Sequence, residues 1–142
     1  MNLIRLANGN DFFELGAQIE EDSSIQSFGD AYVTIQVQSE GFAGHNDLWV
    51  LAEDMRSFAR NLVSLEASLI GEARLESISP NELSIKVRSV SSRGNLSVEG
   101  TSGYEVRRDN SASWHSVSFG FEFEPSQLSG VVRLPWIQRY AG

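Results

Sequence analysis

The chain has 142 residues, with 11 lysines and arginines against 19 aspartates and glutamates, no cysteine, and a formal net charge of −8 at neutral pH. Folding at this length buries roughly 68–70% of the unfolded surface, enough for one self-sufficient domain, while the missing cysteines exclude disulfides and thiolate metal sites. With a pI near 4.7 the molecule repels phosphate, which argues against nucleic acid or an anionic membrane as a direct ligand.

Residues 1–11 lack a basic leader followed by an apolar run, and no apolar stretch approaches the roughly 20 residues of a bilayer span. Together with the absent cysteine, this makes the expected location cytoplasmic. Period-2 alternation begins at Phe13, Leu15, Ala17 and Ile19, opposite Glu14, Gln18 and Glu20. It recurs in Ala31, Val33, Ile35 and Val37. The segment Asp47-Leu48-Trp49-Val50-Leu51 is apolar on both faces and is expected to form a central strand with Trp49 in the core.

From Glu53 to Ile70 the period changes. Met55, Phe58, Ala59, Leu62, Val63, Leu65, Leu69 and Ile70 recur at spacings of three and four, predicting an amphipathic helix with Glu53 and Asp54 in its first turn. Gly71 follows as the expected left-handed C-cap. Residues 73–78 and 83–90 then read as two strands joined through Ser79-Pro80-Asn81-Glu82. Two shorter strands are expected at Leu96–Gly100 and Tyr104–Arg108, followed by a strand carrying Val117, Phe119, Phe121 and Phe123 on one face. Leu128, Val131 and Val132 have the spacing of a short C-terminal helix, which Pro135 is expected to stop.

These elements predict one α+β domain over residues 1–142: an antiparallel sheet of about seven or eight strands, curled or two-layered, with the main helix packed on it. No cofactor or metal motif accompanies them. His45-Asn46-Asp47, after Phe42-Ala43-Gly44, is the most site-like cluster, and His45 or His115 with an acid can in principle form part of a catalytic arrangement. Neither histidine lies in a nucleophile-elbow motif, and polar stretches of this kind are common connectors, so no catalytic residue is assigned. Glu122 and Glu124 share a strand face, but a wet strand face carries carboxylates without any chemistry. Gly94, Gly100 and Gly103 match no phosphate-binding loop and read as turn or bulge positions.

The charge is unevenly distributed. Residues 1–76 hold 13 acidic and 4 basic side chains, whereas residues 77–142 hold 6 and 7, so the net is −9 in the first part and +1 in the second. Glu20, Glu21, Asp22, Asp30, Glu40, Asp47, Glu53 and Asp54 fall around strand ends and the helix start, where they can gather into an acidic rim for a protein partner. Ordinary solvation of charged loops is the competing explanation. Trp114 and Trp136 are candidate aromatic contacts if exposed.

Asp47-Leu48-Trp49-Val50 leading into the helix, Gly71-Glu72-Ala73-Arg74-Leu75-Glu76-Ser77, and Phe121-Glu122-Phe123-Glu124 before a short C-terminal segment together resemble small bacterial immunity proteins of the WapI type and related domains. The resemblance implies a cytoplasmic, non-enzymatic protein that binds and neutralises a toxin encoded beside it. An acidic inhibitor of this kind suits a basic toxin domain. The alternative function is a β-rich module binding a small ligand or carbohydrate through Trp114 or Trp136.

Overall fold

A computed structural model describes residues 2–142. Its eight strands form two antiparallel meanders of four. The first comprises β1 (Leu3–Asn8), β2 (Asp11–Ile19), β3 (Ala31–Ser39) and β4 (Phe42–Val50), side by side in that order. Helix α1 (Ala52–Ser68) connects it to β5 (Glu72–Glu76), β6 (Leu83–Ser89), β7 (Leu96–Arg108) and β8 (Ser111–Phe123), again in chain order. Helices α2 (Ser126–Val131) and α3 (Pro135–Ala141) end the chain. The expected α+β class is therefore found, with the β structure divided between two sheets.

Alternation decides which side of each strand is buried. Phe13 and Leu15 of β2, Val33, Ile35 and Val37 of β3, and Leu48 and Val50 of β4 are at most 3% exposed. From the second sheet, β7 and β8 pack against β4, and β8 also meets β1 and β3. Phe13 stacks on Phe119 of β8 with ring centroids 5.8 Å apart. Helix α1 contributes Met55, Phe58, Ala59, Leu62 and Leu65 to the same hydrophobic cluster, a stripe spaced by three and four that lies against β5 and α3.

Asn46 ties the sheets together. Its Nδ2 donates to the Gly103 carbonyl at 3.0 Å, Ser102 Oγ at 3.2 Å and the Glu82 carbonyl at 3.4 Å. Ser102 Oγ donates in turn to the Glu82 carbonyl at 2.8 Å. At the opposite edge, the Gln127 side-chain amide imitates a neighbouring strand: Ala7 N–H donates to Oε1 and Nε2 donates to the Ala7 carbonyl, both at 2.8 Å. That pairing protects the outer edge of β1 from association with another chain.

Several expectations are corrected. Residues 47–50 belong to β4, an edge strand, and Trp49 is 40% exposed, because only Leu48 and Val50 face the core. Phe42-Ala43-Gly44 and His45-Asn46-Asp47 belong to that strand and do not form a connector. Residues 96–108 make one long strand where two short ones were expected. Gly100 and Gly103 are places of close approach, where an added Cβ would lie 2.1 Å from the Ser84 carbonyl and 2.8 Å from the Trp114 ring, respectively. Helix α1 stops at Ser68, and Leu69 takes the left-handed C-cap conformation with φ 57°, so Ile70 projects outside at 76% exposure. Pro135 starts α3 at a position whose missing N–H costs nothing.

The three acceptors around Asn46 make a direct prediction. Asn46→Ala should lower unfolding free energy by about 1–2 kcal/mol, and Asn46→Asp by more, because a carboxylate would face carbonyl oxygens. Urea denaturation followed by circular dichroism measures both changes.

Candidate functional site

The acidic residues converge only in part. Glu20, Glu21, Asp22 and Asp30 lie in the loop from β2 to β3, whose base is closed by Glu20 N–H donating to the Asp30 carbonyl at 2.9 Å and Gly29 N–H donating to the Glu20 carbonyl at 3.0 Å. Inside the loop, Ser24 donates to the Asp22 carboxylate through N–H at 2.9 Å and Oγ at 2.6 Å. These bonds to the charged form lower the Asp22 pKa, the Oγ bond most.

Asp30 joins this loop to the helix. Leu51, at the N-cap of α1, makes no side-chain capping bond; instead Ala52 N–H donates to Asp30 Oδ1 at 2.8 Å. A carboxylate from another element thus satisfies one of the orphan donors at the helix start. Glu53 and Asp54 follow immediately in the first turn. The sequence positions 20–22, 30 and 53–54 are therefore gathered at one end of the first sheet.

Beside them, the outer face of β3 and β4 carries an aromatic pair. Tyr32 and Trp49 are register partners, with ring centroids 5.4 Å apart at 56°. Tyr32 Oη donates to Asp47 Oδ2 at 2.7 Å, which raises the Tyr32 pKa because the bond favours the protonated phenol. Gln18, Ile19 and Glu20 complete a shallow hollow of about 370 Å³ against the two rings. Ile25 at 42%, Phe28 at 49% and Leu51 at 39% exposure add apolar surface on the loop and helix entrance. Carboxylates around exposed aromatic and aliphatic side chains have the composition of a binding surface with a polar rim.

The remaining candidates separate. Glu40 sits at the other end of β3, in the two-residue turn to β4, where Glu40 and Gly41 have φ 50° and 84°. Its N–H donates to Asp11 Oδ1 at 3.0 Å, making it part of a hairpin turn remote from the acidic end. Trp136 is 6% exposed and donates through Nε1 to the Asn2 carbonyl at 2.8 Å, so it offers no aromatic contact to a partner. Trp114 is 49% exposed but lies elsewhere, at a cleft it shares with both histidines. There His115 stacks on Tyr104 with centroids 6.4 Å apart. Among the described residues, no three His, Cys, Asp or Glu side chains gather around a metal position.

Helix α3 anchors the acidic loop. Arg139 Nη1 lies 2.6 Å from Glu21 Oε1, which raises the Arg139 pKa, and Tyr140 Oη donates to the Gly29 carbonyl at 2.7 Å. Sequence reading missed Tyr32, Ile25, Phe28 and Leu51, and placed Trp49 in the core. Tyr32 had a detectable signal, since it occupies the polar parity of β3.

These features define an acidic α+β protein whose candidate site is an extended surface. A model for the immunity protein WapI-like family matches residues 6–133, and the chain belongs to that family. Membership assigns it an immunity role, implies a toxin as its protein partner, and bears out the resemblance drawn from the Trp49, Gly71 and Phe121 regions. Neither the comparison with curated proteins nor that with solved structures returned a match. Among the described residues, no helix is long and apolar enough to cross a membrane.

Two tests address the anchoring of this surface. Asp30→Ala should cost about 1 kcal/mol by removing the cap, while Asp30→Asn should retain most of it, as measured by thermal unfolding. Burial pushes the Tyr140 pKa up to about 12 from 10.0. Because the folded value is the higher, its contribution is complete below pH 10 and disappears as pH rises through about 12. Tyr140→Phe should remove that part of the alkaline decline in melting temperature.

Proposed function

We propose that this chain neutralises its toxin by covering a basic surface of the toxin with its own acidic end. The observation that carries the proposal is the meeting of the 20–30 loop, the first turn of α1 and the Tyr32–Trp49 pair at one end of the first sheet. Glu20, Asp22, Asp47, Glu53 and Asp54 would supply the attractive potential. Glu21 is already opposed by Arg139, and Asp30 is engaged at the helix cap. Exposed Phe28, Trp49 and Leu51 would provide the desolvated contacts that retain the partner.

The division of labour follows from physical range. Charge interactions reach about 8 Å at physiological salt and act during approach, whereas aromatic burial acts after contact. A toxin that handles nucleic acid would present the complementary basic surface, and carboxylates can occupy positions meant for phosphates.

The test uses the toxin domain encoded beside the gene. Charge reversal at Glu20, Glu21 and Asp22 together should slow association roughly tenfold at low salt, with the difference shrinking as salt rises. Trp49→Ala should act mainly on dissociation. Stopped-flow kinetics separates the two effects. Unchanged association in the triple variant would remove the acidic loop from the mechanism, and absence of binding or of protection in co-expressing cells would end the toxin-neutralisation reading.

A further inference from the structure

A second concavity, larger than the hollow beside Tyr32 and Trp49, lies away from the acidic end, between β4 and the projecting part of the β7–β8 ribbon. It encloses about 600 Å³, within the range of about 300–1,000 Å³ typical of ligand-holding clefts. Its walls are Ala43–Asn46 on one side and Ser102–Tyr104 with Trp114–Val117 on the other. The register of β4 determines what the first wall presents.

Strands β3 and β4 are joined by the two-residue turn Glu40-Gly41, so the closing pair Ser39–Phe42 is hydrogen-bonded and every second pair after it is not. Ala43, His45, Asp47 and Trp49 therefore turn their N–H and C=O groups away from β3. Two bonds agree with this phase: the Trp49 carbonyl accepts from Ile78 N–H at 3.0 Å, and Asp47 N–H donates to Asn46 Oδ1 at 2.9 Å. Those bonds occupy one end of the edge. Among the described residues, no hydrogen bond reaches the outward groups of Ala43 and His45, and both residues line the cleft.

We propose that this cleft receives an extended, basic segment of the toxin, which adds as a strand to the free edge of β4 at Ala43 and His45. The partner's source rests on the immunity reading above; the binding mode rests on the edge itself. An unpaired strand edge is a template for another backbone, and alternate side chains of the added strand then enter flanking pockets. Here the Tyr104–His115 stack would lie across the added strand, and Phe42, 69% exposed, stands at the hairpin end of the same edge. Asp47, next in sequence to Asn46 on the β4 wall, has no cationic partner among the described residues and favours lysine or arginine in the incoming segment, whereas Glu105, next to Tyr104, is already opposed by Arg107 at 3.5 Å. Asn46, bonded across to Gly103, limits how far along β4 the added strand can extend.

The test titrates the full chain with the toxin domain encoded beside its gene. Ala43→Pro deletes an edge N–H that the β3–β4 ladder does not use, so it should weaken binding about tenfold while melting temperature stays within a few degrees of the parent. If that variant fails to fold, the unmodified complex decides: amide exchange at Ala43 and His45 should slow at least tenfold on binding. Unchanged affinity in folded Ala43→Pro, or unchanged exchange at both amides, overturns strand addition and leaves toxin neutralisation standing. Failure of the unmodified chain to bind the toxin overturns both.

Discussion

The hydrogen bond from Ala52 N–H to Asp30 Oδ1 is the constraint on which the acidic end depends. It joins the last residue of a loop to the first turn of the main helix. Without it, α1 would begin at Leu51 with no side-chain cap, and the loop would be held to the body by its own base and by α3. The same carboxylate that completes the helix therefore fixes where Glu20, Asp22, Glu53 and Asp54 stand relative to one another. Structural and electrostatic roles are shared among neighbouring acids: Asp30 is committed to the fold, while Glu20 and Glu53 face solvent or lie at its boundary.

Anchoring on the other flank uses two contacts of different character. The Arg139–Glu21 pair is exposed on both sides, at 54% and 67% of its side chains, and such pairs contribute little in water. The bond from buried Tyr140 to the Gly29 carbonyl is better shielded and holds backbone directly. The loop is consequently positioned by backbone and buried-group bonds, while most of its charge remains uncompensated. That arrangement preserves a surface potential without requiring the charges themselves to stabilise the fold. The second sheet contributes in another way, by carrying β7 and β8 past the edge of β4 and creating a cleft there.

The sequence was most legible where one period dominated. Alternation identified the buried sides of β2, β3 and β8, and the three-four spacing identified α1 from Met55 to Leu65, because burial on one face imposes those patterns locally. Misreadings arose where the deciding contact is distant. Leu48-Trp49-Val50-Leu51 has the composition of a strand covered on both faces, yet β4 is an edge strand whose Trp49 packs on Tyr32 of the same sheet and stays 40% exposed, and only strand order reveals that. Gly100 and Gly103 resembled breaks, although they permit close approach of Ser84 and Trp114 within one continuous strand. The convergence of residues 20–22 and 30 with 53–54 was open to sequence reasoning as an arrangement, but its cause, a helix capped by Asp30, is a contact across 22 positions. Glu40 carried the same charge signal and lies at the opposite end of β3, because charge alone contains no register.

The most direct measurement is the structure of this chain bound to its cognate toxin domain. Neutralisation through the acidic end predicts that Phe28, Trp49 and Leu51 become buried, with lysine or arginine of the toxin facing Glu20, Asp22, Glu53 or Asp54. A complex in which those residues keep their present exposure and the toxin occupies another face would contradict it.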